Sequence, residues 1–289
     1  MSRTRKDSRK ATNRVLEVVR MDDGTFDLFM NGKLPARRAK RAALCPLRIL
    51  RGRVRLDSAR TSRKRQKEAF FWFVLSAIVF ANLRLKAYTS TGFNVREYDL
   101  IAEWYASERV DQTGVPEATT LASSIPRGSF VLDVGCGNGI PITRALLGGG
   151  HRVIGLDSSS VMLANFRHNC PEAIAVRGIV QSCPFADCMF DAAVAWGVMF
   201  HLNPEDAIRA IANVSRIVKR GAPFLFTSGD VDGFEGKEGK MNGVTFRYFS
   251  YSVRSYRRIL GDHGFTLVDV HADSGNNTYY LAKKADPPT

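Results

Sequence analysis

From about residue 95 onward the chain alternates between short apolar runs and stretches with apolar residues at helical spacing. Continuous apolar runs of four to eight residues read as strands buried on both faces, and three-to-four spacing reads as amphipathic helix. The runs fall at 130–134, 152–157, 173–177, 190–196 and 221–229. Helical spacing falls at 98–105, 117–125, from Pro141, at 161–168, 204–218 and 252–263, the last closed by Gly264. The pattern ends on 265–271 and 278–282, which read as an antiparallel pair. Strand–helix alternation of this kind predicts a doubly wound, mainly parallel sheet. Residues 230–245, rich in glycine and charge, read as a mobile loop of the kind that shapes a substrate pocket.

The first part of the chain differs. Residues 1–67 show weak periodicity and carry a net charge of +15, whereas residues 68–289 sum to −1. The organisation expected is a basic leader without stable fold over 1–68, an apolar segment and linker over 69–94, and a folded domain over 95–289. The leader lacks interleaved aromatics, so a solvated tail is favoured over a nucleic-acid arm. The apolar stretch 69–81 is shorter than the ~20 residues of a spanning helix. Contact with a membrane through 69–83, or an over-long reading frame, are the alternatives left open there. Five cysteines without any Cys-x-x-Cys pair fit reduced thiols in a cytoplasmic protein and speak against a zinc site, so no metal is expected.

The chemistry concentrates at residues 130–140. Apolar Val131 and Leu132 lead into Asp133, and glycines follow at 135, 137 and 139. A glycine turn between a buried strand and a helix N-terminus is suited to a nucleotide-like ligand. Asp157 ends the next strand, 18 residues past Gly139, about the interval at which an acid meets a ribose diol. The pattern Asp-x-Gly-x-Gly-x-Gly resembles motif I of the class I S-adenosylmethionine-dependent methyltransferases. The resemblance covers about residues 95–284 and is similar in particular to bacterial members without an assigned substrate. It implies a Rossmann-like, seven-stranded α/β sheet with an antiparallel last strand, S-adenosylmethionine as cofactor, and a cofactor site drawn from Tyr98, Asp133, Gly135, Cys136, Gly137, Gly139, Asp157, Ser158, Met162, Gln181 and Trp196. Tyr98 or Tyr105 would close over the cofactor's methionine end, and Val161 or Met162 would flank adenine.

Two departures from the family matter. Ile179 stands where an acid accepts from the adenine amine, and Gln181 stands at the second such position. The Asn/Asp-Pro-Pro-Tyr of amino-methylating DNA enzymes and a Pro-Cys nucleophile are both missing, which argues against base methylation. His201, after the fourth strand, is the candidate general base, with an ordinary pKa near ~6.5. The expected function is methyl transfer to a small-molecule acceptor, with nucleic acid disfavoured as partner. The alternative is a non-catalytic S-adenosylmethionine-binding regulatory or assembly protein.

Overall fold

The computed structural model describes residues 16–20, 26–30, 95–108, 112–273 and 277–285. In the leader it sets two short strands, β1 (Leu16–Arg20) and β2 (Phe26–Met30), paired antiparallel. These are two local segments of β-favouring residues in a leader expected to be disordered or only locally folded. The apolar stretch 69–81, the linker to 94 and Cys45 lie outside the described residues. Among the described residues no helix is long and apolar enough to cross a membrane.

The domain opens with α1 (Val95–Glu108) and α2 (Val115–Ser124). Then come β3 (Phe130–Val134), α3 (Ile142–Gly148), β4 (Arg152–Asp157), α4 (Ser160–Asn169), β5 (Ile174–Arg177), β6 (Ala192–Ala195), α5 (Pro204–Ile217) and β7 (Pro223–Ser228). The chain continues through β8 (Gly233–Met241), β9 (Val244–Ser250), α6 (Val253–Asp262), β10 (Phe265–Ala272) and β11 (Thr278–Lys284). The main sheet has seven strands in the order β10-β11-β7-β6-β3-β4-β5. β3 pairs parallel with both β4 and β6, so its two neighbours lie on either side of the point where the chain reverses direction across the sheet. β11 is antiparallel to β7 and to β10. The expected fold class is therefore observed, with 130–134 and 152–157 as adjacent parallel strands.

Local chemistry explains the boundaries. Ser159 caps α4 by accepting from Met162 N, Asn203 caps α5 by accepting from Asp206 N, and Ser252 caps α6 by accepting from Ser255 N. Gly264 at φ 74 takes the left-handed position after α6. Strands β3, β4 and β6 are almost wholly buried, as continuous apolar runs require. One core cluster contains Phe226, which stacks on Tyr280 with ring centroids 4.8 Å apart and planes 5° apart, and also meets Tyr256 and Phe224.

The segment 230–245 departs from expectation. It is not an open loop: β8 and β9 form a hairpin with Met241 opposite Val244. The two residues between them, Asn242 and Gly243, have φ of 46° and 77°. An Asn-Gly pair takes up the left-handed pair of conformations that a two-residue hairpin turn requires. The dipeptide was present in the sequence, but glycine and charge content masked it.

Phe226→Ala should lower unfolding free energy by about 3–5 kcal/mol in equilibrium denaturation, since it empties a ring-sized space among immobile aromatics. A cost under about 1 kcal/mol would mean that this stack does not carry the sheet's packing.

Candidate functional site

The carboxyl ends of β3, β4 and β6 converge on a cavity of about 130 Å³. The turn after β3 makes its floor. Gly135 N–H donates to the Leu156 carbonyl at 2.7 Å, and Gly137 N–H donates to Asp157 Oδ2 at 2.9 Å. Ser159 N–H donates to Asp157 Oδ1 at 2.8 Å. One carboxylate thus ties the glycine turn of β3 to the helix start after β4. Gly135 and Gly137 sit at φ 62° and 51°, and a Cβ on Gly135 would stand 2.1 Å from Val198 Cγ2. Both backbone conformation and space forbid a side chain there.

Of the sequence-derived residues, Tyr98, Gly135, Gly137, Asp157, Ser158, Met162, Gln181, Trp196 and His201 all line this cavity. Asp133 and Cys136 do not; they line a smaller adjoining recess of about 30 Å³ together with Tyr105, Gly137 and Trp196. Gly139 lines neither. A Cβ there would lie 2.7 Å from Cys170 Sγ and 3.0 Å from Phe166, so this glycine serves close packing of the turn on α4. Val161 is 39% exposed and also lies off the cavity, whereas Met162 is buried. Ile179 and Val180, and beyond β6 Gly197, Val198, Asn203 and Asp206, line it as well. Ile179 stands at the family's acid position; the others carry no motif, and only the folding of the chain behind β5 and β6 brings them in.

The electrostatics are dominated by burial. Asp157 is held above the ordinary carboxylate range by desolvation, against the backbone N–H donors that favour its charge. Asp133, which accepts from Thr143 Oγ1 at 2.5 Å, is pushed by burial up to about 7. His201 is lowered to about 4 by burial. Its Nε2 pairs with the Tyr98 hydroxyl at 2.8 Å, and the Arg247 backbone is a further partner. Around it stand Phe200, Phe246 and Tyr248, with ring centroids 4.6, 5.8 and 5.1 Å away. At His201, the candidate general base, burial disfavours the protonated ring, and Nε2 is engaged with the Tyr98 hydroxyl.

Comparison with known proteins now bears on the same stretch. Residues 131–221 match the family described as methyltransferase domain. The matched stretch runs from β3 to just before β7 and contains the glycine turn and Asp157. It is 32% identical over 131 residues to a tRNA (carboxymethyluridine(34)-5-O)-methyltransferase of Xenopus tropicalis, covering 44% of this chain and 19% of that one. It is 28% identical over 183 residues to the tRNA U34 carboxymethyltransferase of Cellvibrio japonicus, covering 59% and 55%. The chain therefore spans about a fifth and about half of these relatives' lengths. In fold the domain is similar to the 1,6-didemethyltoxoflavin-N1-methyltransferase of Burkholderia thailandensis, solved with S-adenosylhomocysteine, at a TM-score of 0.52 and 21% identity over 70% of this chain and 94% of that one. The expectation that nucleic acid is disfavoured as a partner is overturned by the tRNA enzymes among the relatives.

The cavity fits the cofactor S-adenosylmethionine. A Cβ on Gly137 would meet no atom closer than Tyr105 at 4.0 Å, so that side of the turn is open. Asp157 accepts two N–H groups and, with two oxygens, retains lone pairs for a diol. Leu156, Met162 and Val180 offer apolar surface to a purine, with Gln181 as a polar group beside them.

Two outcomes are expected. Asp157→Ala should weaken S-adenosylmethionine binding by about tenfold or more in calorimetry, the scale of a charge-assisted hydrogen bond; unchanged affinity would remove Asp157 from the site. Asp133 gives a pH effect. Its folded pKa of about 7 lies above the ordinary carboxyl value of 3.8, so the folded state holds a proton that the unfolded chain releases. Its contribution to stability is complete below about 4 and is lost as pH rises to about 7. His201, lowered on folding, acts in the opposite sense over part of this range. The readout is therefore a difference: Asp133→Asn should gain stability relative to the parent between pH 5 and pH 7, and a constant difference would refute the raised pKa.

Proposed function

We propose that this chain transfers the methyl group of S-adenosylmethionine to an anionic oxygen, a carboxylate, on a uridine of tRNA. The observation that carries the anionic acceptor is the setting of His201: buried, with its pKa lowered by that burial, and hydrogen-bonded to Tyr98. No other histidine lines the cavity among the described residues. A carboxylate is ionised at neutral pH and attacks without a base, so a site that positions and desolvates is sufficient. The names of the tRNA U34 relatives support the nucleoside.

S-adenosylmethionine supplies a methyl group already activated on a sulfonium. The chain's part is to hold both reactants and exclude water. Asp157 and the turn at Gly135–Gly137 hold the nucleoside and methionine portions of the donor. Tyr98, oriented by His201, closes the cavity where the acceptor enters, and Trp196 forms part of the wall. Phe246, fully buried, packs against both Tyr98 and His201 behind that entrance.

The test incubates the full chain with methyl-labelled S-adenosylmethionine and either total tRNA or the small-molecule fraction of an extract. Label should enter tRNA and be released by mild alkali as methanol, the behaviour of a methyl ester. Activity should stay nearly flat from about pH 6 to 8, because neither nucleophile nor His201 titrates there. Label in the small-molecule fraction would overturn the nucleoside, alkali-stable label would overturn the carboxylate, and donor binding without turnover would return the chain to a non-catalytic role.

A further inference from the structure

The β8–β9 hairpin packs beside the short helical turn Met199–His201 and beside α1, so it flanks the acceptor side of the cavity without lining it. Its two faces differ. Phe246 is fully buried and meets Tyr98 and His201. Tyr248, two residues on and therefore on the same face, is only partly covered. Tyr248 and Phe200 form a tilted pair with ring centroids 5.8 Å apart. The Tyr248 ring rests across Gly239, where a Cβ would stand 2.9 Å from its Cε2. A side chain at that position would displace the ring. Lys237 is the register partner of Tyr248, so the two share a face. Lys237 is exposed and has no ion-pair partner among the described residues. The hairpin's Arg247 lies on the opposite face and is paired with Glu238 at 3.3 Å.

A half-exposed aromatic pair flanked by an exposed lysine is a combination that binds single-stranded nucleic acid: the ring stacks a base and the cation meets a phosphate. We infer that Tyr248, backed by Phe200 and flanked by Lys237, stacks an unpaired base neighbouring the acceptor nucleotide in a single-stranded RNA loop. This rests on tRNA as the acceptor. It adds a second RNA-binding element outside the cavity, which would admit loops and ends and disfavour duplex, where bases are not available for stacking.

The experiment measures fluorescence anisotropy of the full chain with a labelled, uridine-rich single strand of about ten nucleotides, with a blunt duplex of equal length, and with total tRNA. Tyr248→Ala should weaken single-strand and tRNA binding about tenfold or more, whereas Tyr248→Phe stays within about twofold of the parent. Lys237→Ala, at an exposed position, should lower the slope of log affinity against log salt by about one. S-adenosylmethionine affinity, by calorimetry, should be unchanged in all three, which also reports an intact fold. Tyr248→Ala that binds single strands as the parent does, while tRNA is still methylated, overturns this inference and leaves the proposed function standing. A parent that binds duplex as tightly as single strand overturns the stacking mode. A parent that neither binds nor methylates tRNA removes both.

Discussion

Everything at the carboxyl end of this sheet depends on one buried carboxylate bridging two chain reversals. Asp157 accepts from Gly137 in the turn after β3 and from Ser159 at the start of α4. The burial that raises its pKa also makes these bonds strong and costly to leave unmade. The bridge requires that β3 and β4 be neighbours in a fixed register, Asp133 beside Gly155 and Val134 beside Leu156. That register in turn requires Gly155 to be bare, since a Cβ there would stand 2.6 Å from both Cys136 Sγ and Phe166. Ser159 extends the bridge outward: its hydroxyl, besides capping α4, donates to Asp99 and so ties α1 to the same point. The helix that carries Tyr98 is thus anchored through the group that anchors the glycine turn.

The parts legible in the sequence were those where physics acts over a few residues. Buried parallel strands require unbroken apolar runs, and Val131, Ile154 and Val194 announced them. The glycine turn and Asp157 were legible because backbone strain and ribose chemistry both fix spacing. What was not legible depended on long-range placement. Gly139 reads as a third cradle glycine, but its reason is the Cys170 sulfur that α4 brings against it. His201 reads as a base by residue type, and only the rings contributed by α1 and β9 reveal how far it is buried, which lowers its pKa.

The partner was misjudged for a related reason. Net charge separated a basic leader from a neutral body, and a neutral body gives no electrostatic reason to expect a polyanion. A sum over more than two hundred residues says nothing about local arrangement. Lys237 and Tyr248 are 11 positions apart and become neighbours only through the Asn242–Gly243 turn. Nucleic-acid recognition needs a few well-placed cations and rings, and the average over a domain conceals them.

The order of the strands also governs how the domain comes together. β11 follows β10 in the chain yet lies between β10 and β7, and β10 has no other neighbour in the sheet. Phe265–Ala272 therefore waits, without backbone partners, until the chain has turned back and laid Thr278–Lys284 against β7. Tyr280, on β11, caps the Phe226 ring and donates to the Gly229 carbonyl where β7 leaves the sheet toward the hairpin. The same strand that closes the sheet last therefore also fixes the root of the β8–β9 hairpin.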